Sequence, residues 1–316
     1  MLDQGQLSAF ETDGYIVIEN VVGEATLAAV RTEYEELMDR LYRRWHRDGL
    51  LPEPPDGLSF WDKIDRCTAN RLDWFQPLDI CLPSERITAE TPMHFGPAVF
   101  DLVTDRNILD IVETLIGPEI MSNPIQHVRI KPPENEVPAD ETRSHIISTD
   151  WHQDRSAIVE EADITTMVTV WIAITDATVE NGCLQVASGN YDKLLQHCAS
   201  GNHLGLASAH TPQNNAVPLP VNAGGVVIFH PLTPHSSLSN RSGAYRWSFD
   251  LRYHVTGQPS GRGQFPDFVA RSRANPGSEL RDWRQWLGSW EAARARLATI
   301  PHIPQYRWDS DAPGCA

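Results

Sequence analysis

The run Asp150-Trp151-His152-Gln153-Asp154 places an imidazole and a carboxylate two positions apart. In extended backbone successive side chains point to opposite faces, so His152 and Asp154 project from one side and can reach a single ion. Further along, Phe229-His230-Pro231-Leu232-Thr233-Pro234-His235-Ser236-Ser237 supplies two more imidazoles. Either completes a set of two histidines and one carboxylate. Such a facial donor set suits non-haem Fe(II), because it leaves coordination positions open for substrates and dioxygen. His230 directly follows the apolar run Val226-Val227-Ile228-Phe229, whereas His235 sits between a loop and a Ser- and Asn-rich turn. Spacing favours His235 and leaves His230 as the alternative.

Elements able to hold these residues are visible in the pattern. Residues 244–255 alternate, with Trp247, Phe249, Leu251 and Tyr253 on one face and Arg246, Ser248, Asp250 and Arg252 on the other. Such a strand has an apolar face for a core and a polar face that can line a cavity in a barrel-like core. Further strand-like runs at 125–130, 165–174, 182–186 and 225–229, separated by turn-rich loops, predict an all-β core with helices outside it. The helices are predicted at 23–48, 106–116 and 279–297. The first has an apolar face at Leu27, Val30, Tyr34, Leu37, Leu41 and Trp45, with Arg40, Arg43, Arg44 and Arg47 on its other side. The second stops at Gly117-Pro118, and the last carries Trp283, Trp286 and Trp290 at the spacing of core contacts. A short helix ending in the turn Asp13-Gly14 precedes a strand at Tyr15-Ile16-Val17-Ile18. No internal repeat, low-complexity tract or linker is present, so residues 1–316 read as one domain with helical extensions at both ends.

Composition narrows the partners. The 316-residue chain is 41% apolar with 10 tryptophans, ample for a packed core. Its 42 acidic and 26 basic residues give a net charge of −16, which repels nucleic acid and an anionic membrane surface alike. The amino terminus lacks the basic and apolar regions of a secretory signal, and no run has the length of a membrane span, so a cytoplasmic protein is expected. Five scattered cysteines, Cys67, Cys81, Cys183, Cys198 and Cys315, contain no Cys-x-x-Cys and read as free thiols.

Taken in order, Asp13-Gly14-Tyr15-Ile16-Val17-Ile18, Trp151-His152-Gln153-Asp154, Trp171-Ile172-Ala173, Glu180-Asn181-Gly182-Cys183-Leu184-Gln185-Val186 and His235-Ser236-Ser237-Leu238-Ser239-Asn240-Arg241-Ser242, ending at Arg246, resemble the phytanoyl-CoA dioxygenase family. The resemblance runs from about residue 5 to residue 255. It implies a mainly β fold, a double-stranded β-helix or jelly roll with flanking α-helices, and an oxygenase dependent on Fe(II) and 2-oxoglutarate. It makes His152, Asp154 and His235 the iron ligands, in preference to His230. It matches Arg246 to the arginine that holds the distal carboxylate of 2-oxoglutarate, a role suited to a planar guanidinium. Ser237 and Trp171 match cosubstrate contacts, and Gln153 lies beside the ligands where it could orient a carboxylate. Gln126 and His127, on the strand before Lys131-Pro132-Pro133, are further cofactor-binding candidates. The sequence departs from the family pattern at Ala187-Ser188-Gly189-Asn190-Tyr191, where many relatives carry a proline and end in Ser-His.

The resemblance also implies the reaction class. Dioxygen and 2-oxoglutarate are consumed, succinate and carbon dioxide are formed, and an unactivated carbon of a small-molecule substrate is hydroxylated. A carboxylate ligand at Asp154 disfavours halogenation, since related halogenases carry a small residue there. Net charge and the lack of an obvious basic cluster favour a small metabolite over a polyphosphate, with residues 134–149 and 187–222 walling its pocket. Two other classes compete: a cupin-like metal oxygenase that does not use 2-oxoglutarate, and a catalytically silent binding protein on the same scaffold. Arg246 and Ser237 argue against the first, and intact ligand positions against the second.

Overall fold

A computed structural model describes residues 2–83, 86–187, 189, 192–200, 203–212, 214–301, 307–308 and 315. Ser188, Asn190 and Tyr191, in the loop that departs from the family pattern, lie outside the described residues. The first half supplies helices α1 (Gln4–Asp13), α2 (Glu24–Arg47), α3 (Phe60–Ala69), α4 (Pro97–Val103) and α5 (Arg106–Ile116), with strand β1 (Tyr15–Ile18) between the first two. The strands that follow are β2 (Glu119–Ser122), β3 (His127–Lys131), β4 (Met167–Ala173), β5 (Leu184–Ala187), β6 (His197–Ser200) and β7 (His203–Leu206). They continue with β8 (Ala216–Leu219), β9 (Val226–Phe229), β10 (His235–Ser237), β11 (Arg246–Val255) and β12 (Phe268–Ser272), before helix α6 (Trp283–Leu297).

The strands form two facing layers of a jelly roll. The larger sheet runs β1-β9-β4-β11-β2-β12 with β3 also paired to β11, and the smaller runs β10-β5-β8. Strand β4 is buried along its whole length, which explains its unbroken apolar run. Its Val168, Val170 and Ile172 join the core under the helices, while Trp171 and Ala173 join a second cluster with Leu184, Val186 and Leu219 of the smaller sheet. On β11 the predicted alternation holds. Trp247, Phe249, Leu251 and Tyr253 pack into the helix-side core, where Tyr34 of α2 meets the rings of Trp247 and Phe249 edge-on at 5.1 and 5.9 Å. Each such fully buried large side chain contributes roughly 1.5–3 kcal/mol of hydrophobic stabilisation. Trp286 and Trp290 of α6 are buried against Phe95, as their spacing predicts.

Two glycines permit close approaches that position the site. Gly14, at φ 79°, caps α1 and sits against the Thr233 side chain; its carbonyl accepts from Thr233 Oγ1 at 2.8 Å and from His230 N–H at 2.8 Å. Gly182, at φ 89°, lies where a Cβ would come within 2.5 Å of the Leu238 carbonyl. Both motifs therefore brace the segment that carries His235 and Ser237.

The cysteine expectation needs correction. Cys198 on β6 is disulfide-bonded to Cys315, with Cα atoms 5.4 Å apart, while Cys67, Cys81 and Cys183 are free and buried. The partners are 117 positions apart, and the fold, which no local spacing reports, brings them together. Among the described residues no helix is long and apolar enough to cross a membrane. Alkylation of the air-exposed protein, denatured but not reduced, should label three cysteines and leave a Cys198–Cys315 peptide pair in the mass spectrum. Labelling of all five would contradict the link.

Candidate active site

His152 and His235 form an isolated antiparallel bridge and exchange both backbone hydrogen bonds, at 3.0 and 2.9 Å. Two chain segments distant in sequence are thereby registered residue against residue, and the imidazole centroids lie 4.2 Å apart. The His-x-Asp segment is not a strand: Gln153 is extended, and Asp154 opens a short 3-10 turn. One extended residue between them suffices to keep His152 and Asp154 on the same side. Nitrogen or oxygen atoms of His152, Asp154 and His235 all lie within 4.8 Å of one another. His230 is not in this cluster, and its ring nitrogen instead accepts from the backbone N–H of Leu232.

Backbone carbonyls orient both imidazoles. Nδ1 of His152 lies 2.8 Å from the Asp150 carbonyl, and Nδ1 of His235 lies 3.0 Å from that of Thr233. A carbonyl only accepts, so each Nδ1 carries the proton and each Nε2 presents a lone pair. The Nε2 atoms lie 3.6 and 3.8 Å from the same Asp154 oxygen, Oδ1. Burial first, then the His152 ring, push His235 down to about 3, so it is neutral and able to ligate at physiological pH. Burial would raise the Asp154 carboxyl, but the Arg252 guanidinium, the largest opposing influence, holds the group well below its ordinary range.

Beside the triad is a narrow cavity lined by His152, His235, Trp171, Phe229, Ser237 and Arg246. Arg246 is buried, donates to Ser248 Oγ at 2.7 Å, and lies over the Trp171 ring at 5.3 Å. Its Nε and the indole N–H of Trp171 have no hydrogen-bond partner among the described residues. Nor does Arg246 pair with Asp250, which is engaged by Arg129 at 2.7 Å. Burial first, and the Arg129 guanidinium second, push Arg246 down to about 9, still cationic at neutral pH. Ser237 Oγ accepts from the Lys131 ammonium at 2.7 Å and from the Thr149 backbone N–H at 2.9 Å. With both acceptor sites used, its own proton remains to be donated.

This donor set fits a divalent iron with a chelating dicarboxylate, and comparison with known proteins agrees. The family model described as phytanoyl-CoA dioxygenase (PhyH) matches residues 10–248. The chain belongs to the phytanoyl-CoA dioxygenase family. Peroxisomal phytanoyl-CoA dioxygenase of Bos taurus is 26% identical over 261 residues, covering 80% of this chain and 68% of its own. The Homo sapiens protein of that name is 25% identical over 256 residues, covering 78% and 67%. Among solved structures, the apo form of the non-haem monooxygenase ThoJ superposes with a TM-score of 0.58 at 19% identity, covering 92% of this chain and 97% of that one. EvdO2 of Micromonospora carbonacea var. aurantiaca complexed with 2-oxoglutarate gives 0.52 at 19%, covering 81% and 92%. These structures share the fold. As a phytanoyl-CoA dioxygenase family member the chain is a non-haem iron oxygenase dependent on 2-oxoglutarate.

Within this family member the remaining sequence candidates divide. Gln153 is buried and turned to the framework: its amide donates to the Leu232 and Lys193 carbonyls, at 2.6 and 3.2 Å, and accepts from Leu195 N–H at 2.7 Å. Gln126 donates to the Ile80 carbonyl at 2.9 Å and lines neither cavity described here. His127 faces not the narrow cavity but a larger one, of about 180 Å³, that adjoins His152 and Asp154. Residues 134–149 supply Arg143, Ser144, His145 and Thr149 to its wall, and the 187–222 segment supplies Leu204.

Three contributors escaped sequence reading. Lys131, opposite Arg246 in the β3–β11 register, also donates to the Leu238 carbonyl at 2.6 Å. Burial, then Arg246 and Arg129, push its ammonium well below its ordinary range. Arg252 donates to Asp154 Oδ1, and Thr169 donates to Oδ2. Arg252 already stood on the polar face of β11, two and six positions after Asp250 and Arg246, and that periodicity was the available signal. Arg252→Met leaves buried Asp154 and Asp250 short of a cation, so urea unfolding of the metal-free protein should show a loss of about 3–5 kcal/mol. A loss below about 1 kcal/mol would mean that the pairing does not hold the carboxylate.

Proposed function

We propose that His152, Asp154 and His235 hold Fe(II), that Arg246 and Ser237 hold the distal carboxylate of 2-oxoglutarate, and that the adjoining cavity takes a small metabolite for hydroxylation. The observation that carries this reading is the buried Arg246 guanidinium, which has no carboxylate in contact and stands opposite the buried Lys131 ammonium, in a cavity that opens on the triad imidazoles. Buried like charges of this kind are costly unless an anion joins them. In this closed form the cavity holds about 10 Å³, so entry of the dicarboxylate requires side chains to rearrange.

When bound, Fe(II) would supply activation of dioxygen, the oxidant, which takes two electrons from 2-oxoglutarate as that is decarboxylated to succinate and carbon dioxide and two from the substrate carbon. The protein's residues bind, orient and exclude. Arg246 offers a planar fork and Ser237 a hydroxyl proton to one carboxylate, while Trp171 and Phe229 wall the cavity from water. Arg252 and Thr169 fix the rotamer of Asp154 before any ion arrives. Around the larger cavity Arg129, Arg143 and Arg252 are engaged by Asp250, by Glu141 and Asp73, and by Asp154. With three of the four arginines in the wall so engaged, a small substrate is favoured over an acyl-CoA such as the one in the relatives' names. We treat the chain as one domain, its helices packed on the β core. In a cytoplasmic setting, Cys198–Cys315 would be a bond formed on oxidation.

Anaerobic addition of Fe(II) and then 2-oxoglutarate should produce the weak visible charge-transfer band of the chelate. Bound iron without that band would shift the reading to an oxygenase that does not use 2-oxoglutarate. Failure to bind Fe(II) would revive a silent scaffold. His152→Ala and Asp154→Ala should each abolish 2-oxoglutarate turnover to succinate, and retained activity in either sinks the triad. Arg246→Leu should weaken 2-oxoglutarate binding roughly 10- to 100-fold, the worth of a charge-assisted hydrogen bond. Unchanged affinity would assign the distal carboxylate to another group.

A further inference from the structure

The larger cavity carries polar equipment that the triad does not use. Asp79, 3% exposed, is held at Oδ1 by the backbone N–H groups of Ile80 and Val128, each at 2.9 Å. Its Oδ2 lies 2.9 Å from Nδ1 of His127. A carboxylate only accepts, so Nδ1 of His127 carries a proton, and in the neutral ring Nε2 keeps its lone pair. Among the described residues nothing hydrogen-bonds to that Nε2, and the side chain retains 20% exposure in a cavity whose wall also includes His152 and Asp154. The ring is held in place by His145 at 4.3 Å between centroids, which is itself stacked on Phe75 at 5.2 Å.

A purely structural role does not account for this arrangement. The tie between the Asp79 turn and β3 is already made by the Val128 N–H, without the imidazole. What the imidazole adds is a hydrogen-bond acceptor of fixed tautomer, facing a cavity whose other lining includes the apolar Leu82, Pro124, Ile125 and Phe265. A carboxylate or phosphate cannot donate to such an acceptor; of the arginines in the wall, Arg129, Arg143 and Arg252 are held by carboxylates and Arg262 donates to the Ala157 carbonyl. A hydroxyl can donate, and the apolar wall suits the rest of an alcohol.

We propose that His127 determines substrate class, its Nε2 accepting a hydrogen bond from a hydroxyl of a small, uncharged alcohol whose apolar body packs against the cavity wall. This rests on the reading of that cavity as the substrate site. It implies that the carbon oxidised belongs to a molecule that already bears a hydroxyl.

The test uses the full chain with 2-oxoglutarate and Zn(II), a diamagnetic substitute for iron, ¹⁵N-labelled at histidine. The probes are cyclohexanol, which can donate, and cyclohexanone, which only accepts. In the free protein the long-range ¹H–¹⁵N spectrum should show His127 as the Nδ1–H tautomer, and cyclohexanol should shift its Nε2 on saturation. Cyclohexanol should bind about tenfold more tightly than cyclohexanone, the worth of one neutral hydrogen bond. His127→Phe should remove the preference. Asp79→Asn should abolish it: the amide oxygen is retained by the two backbone N–H groups, so its NH2 faces Nδ1 and drives the ring proton to Nε2, which can then donate to the oxygen of either probe. Equal binding of the probes to wild type, no saturable binding of either, or a preference that survives both variants would overturn the inference. The preference is read without turnover. A missing Fe(II)–2-oxoglutarate band alongside an intact alcohol preference therefore defeats only the cofactor assignment, and the converse defeats only this inference.

Discussion

The reciprocal backbone hydrogen bonds between His152 and His235 are the constraint on which the site depends. They join a segment outside any sheet to the edge strand β10, and so fix the distance between two imidazoles before any ion is considered. Everything that steadies β10 then steadies the triad: its pairing to β5, the approach of Gly182 to the Leu238 carbonyl, and the grip of Thr233 on the Gly14 carbonyl. Mutually supporting contacts of this kind hold donor atoms to the sub-ångström tolerance that a preorganised site requires.

Charge is arranged around this frame in two opposed ways. On the Asp154 side, carboxylates and guanidinium groups alternate, with Arg129 on Asp250 and Arg252 on Asp154, and each buried charge has an opposite neighbour. On the Arg246 side the balance is broken, since Arg246 and Lys131 are buried with hydroxyl and carbonyl partners only. One half of the site is neutral within itself and can be rigid. The other carries buried positive charge with neutral partners only, which gives an anion an electrostatic advantage there over a neutral molecule of the same shape.

Much of this was legible in the sequence, for identifiable reasons. The alternation of β11, the amphipathic stripe of α2 and the tryptophan spacing of α6 report which faces are buried, and each appears as read. The helix at Phe60–Ala69 was missed although Ser59 and Asp62 form a capping box, because its pattern follows a proline-rich stretch that reads as loop. Strand β10 is three polar residues, and its strand character comes wholly from β5. Gln153 and Gln126 were attractive by position, but side-chain direction is decided by partners such as Leu232, Lys193 and Ile80 that no local pattern reveals. The disulfide was illegible for the same reason. His127 was noticed for its place in the chain, and its neighbour Asp79 gives it a different setting from the one expected.

The far end of the chain reaches back to the site. Trp308 donates its indole N–H to the Ser156 carbonyl at 2.9 Å, and its ring lies 5.1 Å from that of His197. Nε2 of His197 accepts from the backbone N–H of Gln153, between the two ligand positions, at 3.0 Å, and Arg307 donates to the Arg155 carbonyl at 3.2 Å. Arg307 and Trp308 lie beyond the region matched by the family model, which ends at 248. That segment thus has a direct mechanical route to the turn bearing Asp154, and a change far from the triad can reach it without altering a ligand.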